Sequence, residues 1–92
     1  MERDALTLHL VRALSRAQHE GRRVDLETLT VELGVRRGDV RGLVTALDRE
    51  GYMHASRMRL TLQGFVLGRA LEGMALPPIR RAAPARRAIA AA

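Results

Sequence analysis

The residue type best able to do chemistry in this chain is arginine, and seven arginines lie between positions 36 and 72. A guanidinium group is always charged, and its planar fork fits phosphate oxygens or the edge of a guanine base. The 92-residue chain carries a net charge of +6, which favours a polyanionic partner such as nucleic acid. The absence of lysine and the 14 alanines are explained more simply by a GC-rich coding bias.

The positive charge is unevenly distributed along the chain. Residues 1–35 hold five arginines and six acidic residues, a net charge of −1, and we do not expect a polyanion site there. Residues 36–72 hold seven arginines and four acidic residues, a net charge of +3. Residues 73–92 hold four arginines and no acidic residue, a net charge of +4. Any polyanion site in the folded part is therefore expected after residue 35.

Catalytic and metal-binding chemistry has few candidates. The three histidines are His9, His19 and His54, and no pair of them has the i, i+4 spacing of a metal site with a nearby carboxylate. The sequence contains no Gly-rich phosphate loop and no serine or threonine in a recognisable triad context. We predict that the protein is not an enzyme and that it has no catalytic residue, metal or cofactor.

The sequence also limits the expected compartment. Without cysteine, the chain has no disulfides and no thiolate zinc sites. No apolar run approaches the roughly 18 residues that cross a bilayer, and the N-terminus lacks the pattern of an export signal. We therefore expect a cytoplasmic protein with no membrane association.

The arginines must be positioned by helices, which the apolar spacing predicts. A first helix is expected over residues 4–20, with Leu8 and Val11 outside its apolar stripe and available to a second copy of the chain. The stripe itself is formed by Leu6, Leu10, Leu14 and Ala17.

Two further helices are bounded by capping residues. Asp25 is a good N-cap and Gly34 a good stop for a short second helix. The third helix is predicted from Arg37 to Glu50, followed by Gly51, and Arg36 stands where a capping side chain would be expected. The residues predicted to form its buried face are Val40, Leu43, Val44 and Leu47.

A small hairpin and a fourth helix follow. Short strands are predicted at 52–54 and 57–60, joined at Ala55-Ser56, and Thr61 is a natural N-cap for a helix over 62–72. A domain over residues 1–73 would then be followed by a basic tail of Ala, Arg and Pro over 74–92. The predicted apolar positions of the fourth helix are Leu62, Phe65, Val66, Ala70 and Leu71.

The order of these elements is that of a winged helix-turn-helix. The run DLETLTVELGVRRGDVRGLVTALDREGYM, residues 25–53, resembles the helix-turn-helix of bacterial winged-helix regulators, including the MarR-like group. The run LTLQGFVLGRAL, residues 60–71, is similar to the segment by which such proteins leave the wing and enter the next helix. The resemblance covers roughly residues 4–72 and implies a mostly α fold with a small β-hairpin: a three-helix core, a short wing and a fourth helix.

The resemblance also implies a function, that of a small DNA-binding transcriptional regulator. The third helix would enter the major groove of double-stranded DNA, and residues 55–59 would approach the minor groove or phosphates. Steps of about 100° per residue place Gly38, Gly42, Thr45 and Arg49 opposite its buried face. A homodimer would pair through Leu8, Val11 or the terminal segments. The predicted DNA-binding residues are Arg36, Arg37, Arg41, Thr45 and Arg49, assisted by Arg57 and Arg59.

Three alternatives remain open at this point. Gly38 and Gly42 would either let the helix backbone approach DNA closely or pack on another helix. The second case describes a protein-interaction module without sequence-specific DNA binding, whose partner lies on the Gly38/Gly42 face. Arg57 and Arg59 are equally well explained as solvated strand positions alternating with Met58 and Leu60. The tail is either a phosphate-binding arm or a solubilising extension.

Overall fold

A computed structural model shows four helices and one hairpin among the residues that it describes. The structure describes residues 2–79, with side chains from residue 5 onward. The predicted class, mostly α with a small β-hairpin, is confirmed. Three residues, 34–36, separate the second helix from the third, and the third ends one residue before its predicted end at Glu50. The elements are α1 (Glu2–His19), α2 (Leu26–Leu33), α3 (Arg37–Arg49), β1 (Met53–His54), a 3-10 turn (Ala55–Arg57), β2 (Arg59–Leu60) and α4 (Leu62–Ala70).

Local capping explains where α2 begins and ends. The carboxylate of Asp25 accepts a hydrogen bond from the backbone N–H of Thr28 at 2.8 Å, as predicted for an N-cap. This hydrogen bonding lowers the pKa of the Asp25 carboxyl, because it stabilises the charged form. Gly34 ends the helix in the left-handed conformation, with φ 68°, where a side chain would be strained.

The core lies between α1, α2 and α3. The predicted α1 stripe and the predicted buried face of α3 are both confirmed. The expectation that Val11 lies outside the core and is available to a second copy is wrong, because this side chain is 0% exposed. Leu8 is half-buried against the same core. Pairing of two copies therefore cannot use Val11 in this fold.

Only part of the predicted apolar face of helix α4 is buried: Leu71 belongs to the core and Phe65 packs against it, as predicted. Leu62 and Val66, expected at apolar core positions, are 79% and 58% exposed. The buried face instead contains Gly64 and Gly68. A Cβ atom at Gly68 would lie 2.8 Å from the Ser15 hydroxyl oxygen, so the two helix backbones approach too closely for a side chain.

The hairpin is shorter than predicted. Its strands pair Met53 with Leu60 and His54 with Arg59, and a 3-10 turn occupies the space between them. Met58 has a φ of 51°, the left-handed region that a methionine rarely adopts, so the backbone reverses there rather than continuing as a strand. The predicted continuous strand over residues 57–60 is therefore wrong.

A side chain completes the outer edge of β2. The backbone N–H of Thr61 donates to the carbonyl of Tyr52 at 3.0 Å. Because the backbone polar groups of successive strand residues point to opposite sides, the N–H and C=O of Leu60 point away from β1. There the Gln18 carboxamide accepts from the Leu60 N–H at 2.9 Å and donates to the Leu60 carbonyl at 3.4 Å. Gln18 thus replaces a third strand, which the described two-stranded sheet lacks.

The chain after α4 lies along α1. Residues 74–79 belong to the predicted tail, and they contact α1 through two backbone carbonyls, while Leu76 and Ile79 pack against the core. The rest of that predicted basic tail, residues 80–92, lies outside the described residues. The polar contacts between α1 and the chain after α4 join Arg16 to Glu72 at 2.7 Å, Arg12 to the Met74 carbonyl at 3.2 Å and His9 to the Pro77 carbonyl at 2.8 Å.

Candidate nucleic-acid interface

The outward face of α3 is open along its length. Gly38, Gly42 and Thr45 are exposed, as predicted from the helical spacing. A Cβ atom added at Gly38 or Gly42 would have no neighbouring atom within 4 Å. The Thr45 hydroxyl donates to the carbonyl of Arg41 at 3.1 Å and keeps its oxygen lone pairs available as acceptors. Neither glycine is in contact with another part of the described chain.

Arginines surround this open face. Arg36, Arg41 and Arg49 are exposed and form no ion pair with the side chains of residues 5–79. Arg37 differs, because it lies 3.4 Å from the Glu27 carboxylate of α2. Both partners of that pair are exposed, so water screens the interaction and it contributes little to stability. Arg37 can therefore exchange this carboxylate for another anion at small cost.

The first turn of α3 begins without a side-chain cap. Arg36 occupies the N-cap position and makes no capping hydrogen bond, as its residue type predicts. The Asp39 and Val40 N–H groups bond to the Arg36 carbonyl at 3.1 and 3.3 Å. The N–H groups of Arg37 and Gly38 come before the first intrahelical bond, and helix N-termini attract anions.

Three hydrogen bonds fasten the hairpin to the end of α3. The Asp48 carboxylate accepts from the backbone N–H of Ala55 at 2.7 Å. The Tyr52 N–H donates to the Leu47 carbonyl at 2.9 Å, and the Thr61 hydroxyl donates to the Gly51 carbonyl at 2.8 Å. The hairpin is therefore held in a defined position relative to the open face of α3.

Arg57 and Arg59 are exposed, but they do not occupy alternate positions of one strand. Arg57 belongs to the 3-10 turn and Arg59 to β2, with the left-handed Met58 between them. Both line a cavity together with Arg22 and Arg23 from the α1–α2 connection. Sequence reasoning missed Arg22 and Arg23, because the summed charge of residues 1–35 is negative and conceals a local arginine pair.

Other kinds of site have no support in the described part of the chain. Among residues 5–79, no group of three or more histidine, aspartate and glutamate side chains is placed to hold a metal ion. No helix over residues 2–79 has both the length and the apolar character needed to cross a membrane. His9 is a hydrogen-bond donor to the Pro77 carbonyl, which is a structural role.

Comparison with known proteins identified no relative of this chain. No protein-family model, no curated protein and no solved structure matches the chain. The surface of α3 and the hairpin is therefore the basis on which a function can be inferred.

Proposed function

We propose that this chain is a winged-helix DNA-binding protein that acts as a small transcriptional regulator. In this proposal α2, the turn at residues 34–36 and α3 form the helix-turn-helix, and the hairpin at 53–60 is the wing. The element order supports it, as do the three hydrogen bonds that hold the hairpin and its flanking residues beside the end of α3. Helix α3 would enter the major groove, and the wing would contact the neighbouring backbone.

The observation that carries the proposal is the chemical character of the outward face of α3. The large apolar side chains exposed among the described residues are Val31, Leu62, Val66 and Met74, and none belongs to α3. Protein interfaces have apolar or aromatic side chains at their centre, whereas DNA interfaces are polar and positively charged. An open glycine face flanked by arginines has the second character.

Phosphate contacts would supply most of the affinity. Gly38 and Gly42 let the α3 backbone approach the duplex, while Arg36, Arg37 and Arg49 bind phosphates. Arg41 and Thr45 are the side chains placed to reach base edges, so sequence discrimination is expected to be modest. Affinity should fall steeply as the salt concentration rises, because each phosphate contact releases a counterion.

A matched pair of charge reversals tests this interface. Arg41→Glu places a carboxylate on the open face of α3, whereas Arg69→Glu makes the same charge change on α4, which packs on α1. Duplex binding measured by fluorescence anisotropy at low salt should be lost in the first variant and largely retained in the second. Circular dichroism should show that both are folded. Equal binding by the two variants would refute the assignment of α3.

A glycine substitution tests whether the face is free to receive a duplex. Gly42→Gln should fold normally, because no atom lies within 4 Å of the added Cβ. Duplex binding should be kept or improved, since the carboxamide can hydrogen-bond to a base. If the same variant instead lost association with a protein partner, the Gly38/Gly42 face would be a packing surface.

The second candidate function is a protein-interaction module without sequence-specific DNA binding. Exposed Leu62 and Val66, four residues apart on α4, favour it. They also offer an alternative to Val11 for the proposed homodimer. Sedimentation of Leu62→Gln with Val66→Gln tests the pairing: a shift from dimer to monomer supports it, and an unchanged monomer excludes it. Retained duplex binding by that monomer would favour DNA binding as the function of α3.

A further inference from the structure

The four arginines around the cavity between the α1–α2 connection and the hairpin form a second charged site. The cavity has a volume of about 470 Å³, within the usual range of small-molecule sites. Arg22, Arg23, Arg57 and Arg59 line it, and no acidic residue does. Arg22 is paired with Glu20 at 2.7 Å. The other three form no ion pair with the side chains of residues 5–79.

The cavity lies between the α1–α2 connection and the hairpin, beside a sheet that has two strands among the described residues. The connection between α1 and α2 runs beside β2 without pairing with it, and the Gln18 carboxamide satisfies the free edge at Leu60. A gap therefore remains between this connection and the hairpin. Since Gln18 already fills the hydrogen-bonding positions of Leu60, the gap is not a site for an added strand at that residue.

The walls of the cavity combine charge with apolar surface. The half-buried Val24 and Met58 line the cavity together with the arginines, and the buried Leu14 also borders it. The guanidinium groups of Arg23, Arg57 and Arg59 repel one another, and a bound anion would reduce that repulsion. A guanidinium group can form two parallel hydrogen bonds to the oxygens of one phosphate group. The apolar wall can contact the non-phosphate part of an organic molecule.

We propose that this cavity binds a small organic phosphate of about mononucleotide size. The phosphate group lies among Arg23, Arg57 and Arg59, and the organic body lies against the apolar wall. No residue of α3 lines the cavity, and nucleotide binding there does not require DNA, although Arg57 and Arg59 also belong to the proposed wing. A phosphate of the DNA backbone has the same chemistry, so the test must distinguish the two sources.

The experiment follows nuclear magnetic resonance signals of the full chain during titration with adenosine monophosphate and with inorganic phosphate. Saturable shifts of the Gln18 side-chain amide and the Met58 backbone amide are expected with adenosine monophosphate. Inorganic phosphate should bind more weakly, because it lacks a body to contact the apolar wall. Shifts that rise linearly without saturation, or equal affinity for the two probes, would overturn the proposal.

Matched variants separate the site from general electrostatics. Arg23→Gln should weaken binding of adenosine monophosphate by about tenfold or more, because it removes a charged hydrogen-bond donor to the phosphate group. Arg69→Gln removes the same charge from α4 and should leave this affinity unchanged. Equal weakening by both variants would overturn the proposal.

Duplex binding by the same variants identifies the source of the phosphate. Arg23→Gln should leave duplex affinity nearly unchanged, whereas Arg41→Glu should leave adenosine monophosphate binding unchanged. If Arg23→Gln weakened duplex binding as much as nucleotide binding, the cavity would belong to the DNA interface and the small-ligand proposal would be wrong. Loss of duplex binding in Arg41→Glu alone bears only on the α3 proposal.

Discussion

Two pairs of glycines with the same spacing have opposite surroundings in this protein. Gly38 and Gly42 lie four residues apart on α3, and Gly64 and Gly68 lie four residues apart on α4. An added Cβ would meet nothing within 4 Å at the first pair. At Gly68 it would lie within 2.9 Å of the Val11 carbonyl and would also overlap Ser15.

The difference shows that glycine spacing by itself does not identify a packing face. The sequence left helix packing as an alternative for Gly38 and Gly42, but the close helix contact occurs at Gly68, while Gly64 lies against the Tyr52 carbonyl and Leu60. There the small residues let α4 approach α1, and they leave Leu62 and Val66 facing outward. The α3 pair remains open for a partner outside the described chain.

Replacing Gly68 by alanine should destabilise the protein by roughly 2–3 kcal/mol, because the methyl group overpacks the contact between α1 and α4. Urea unfolding followed by circular dichroism measures this change in the free energy of unfolding. An unchanged unfolding midpoint would mean that α4 does not pack closely on α1.

Shortening the opposing side chain should relieve that strain. In the background of Gly68→Ala, Ser15→Gly removes the Cβ and Oγ atoms that the new methyl group meets. A double-mutant cycle should give a favourable coupling of about 1 kcal/mol, although the Val11 carbonyl still limits the fit. Strictly additive effects would show that the two positions are not in contact.

The same substitution on the open face should act in the opposite direction. Gly42→Ala should stabilise the protein by about 0.5–1 kcal/mol, because alanine favours a helix and has free space here. The urea midpoint should rise in comparison with the unmodified chain. A lower midpoint would indicate that the α3 glycine face contacts another part of the protein.

The smallest effect is expected where the packed region ends, at the Arg16–Glu72 pair. The Arg16 guanidinium hydrogen-bonds to the Glu72 carboxylate and lowers the pKa of that carboxyl. Its contribution to stability is therefore present above the ordinary value of 4.5 and is lost as the pH falls through the lowered pKa of the folded state. Glu72→Gln should reduce the thermal midpoint slightly near neutral pH and should not change it in acid. An equal reduction at both pH values would exclude the charge pair as its cause.

Much of the local structure follows from neighbouring residues in the sequence. The periodic apolar residues of α3 predict its buried face, because one helix determines its own periodicity. Asp25 and Thr61 act as N-caps, and Gly34 as a left-handed stop, since these roles depend on residues a few positions away. The exposed arginines of α3 follow from the same periodicity.

Tertiary contacts decided the rest of the structure. The sequence determined that Gly64 and Gly68 lie one helical turn apart, but only tertiary contacts make them the buried side of α4: Gly68 lies against Ser15, about 50 residues earlier, and Gly64 against Tyr52 and Leu60. Likewise, the sequence placed Arg22 and Arg23 in an acidic region, whereas the fold brings them to a common cavity with Arg57 and Arg59. Periodicity and capping depend on nearby residues, while the partner of a face and the neighbours of a charge depend on distant parts of the chain.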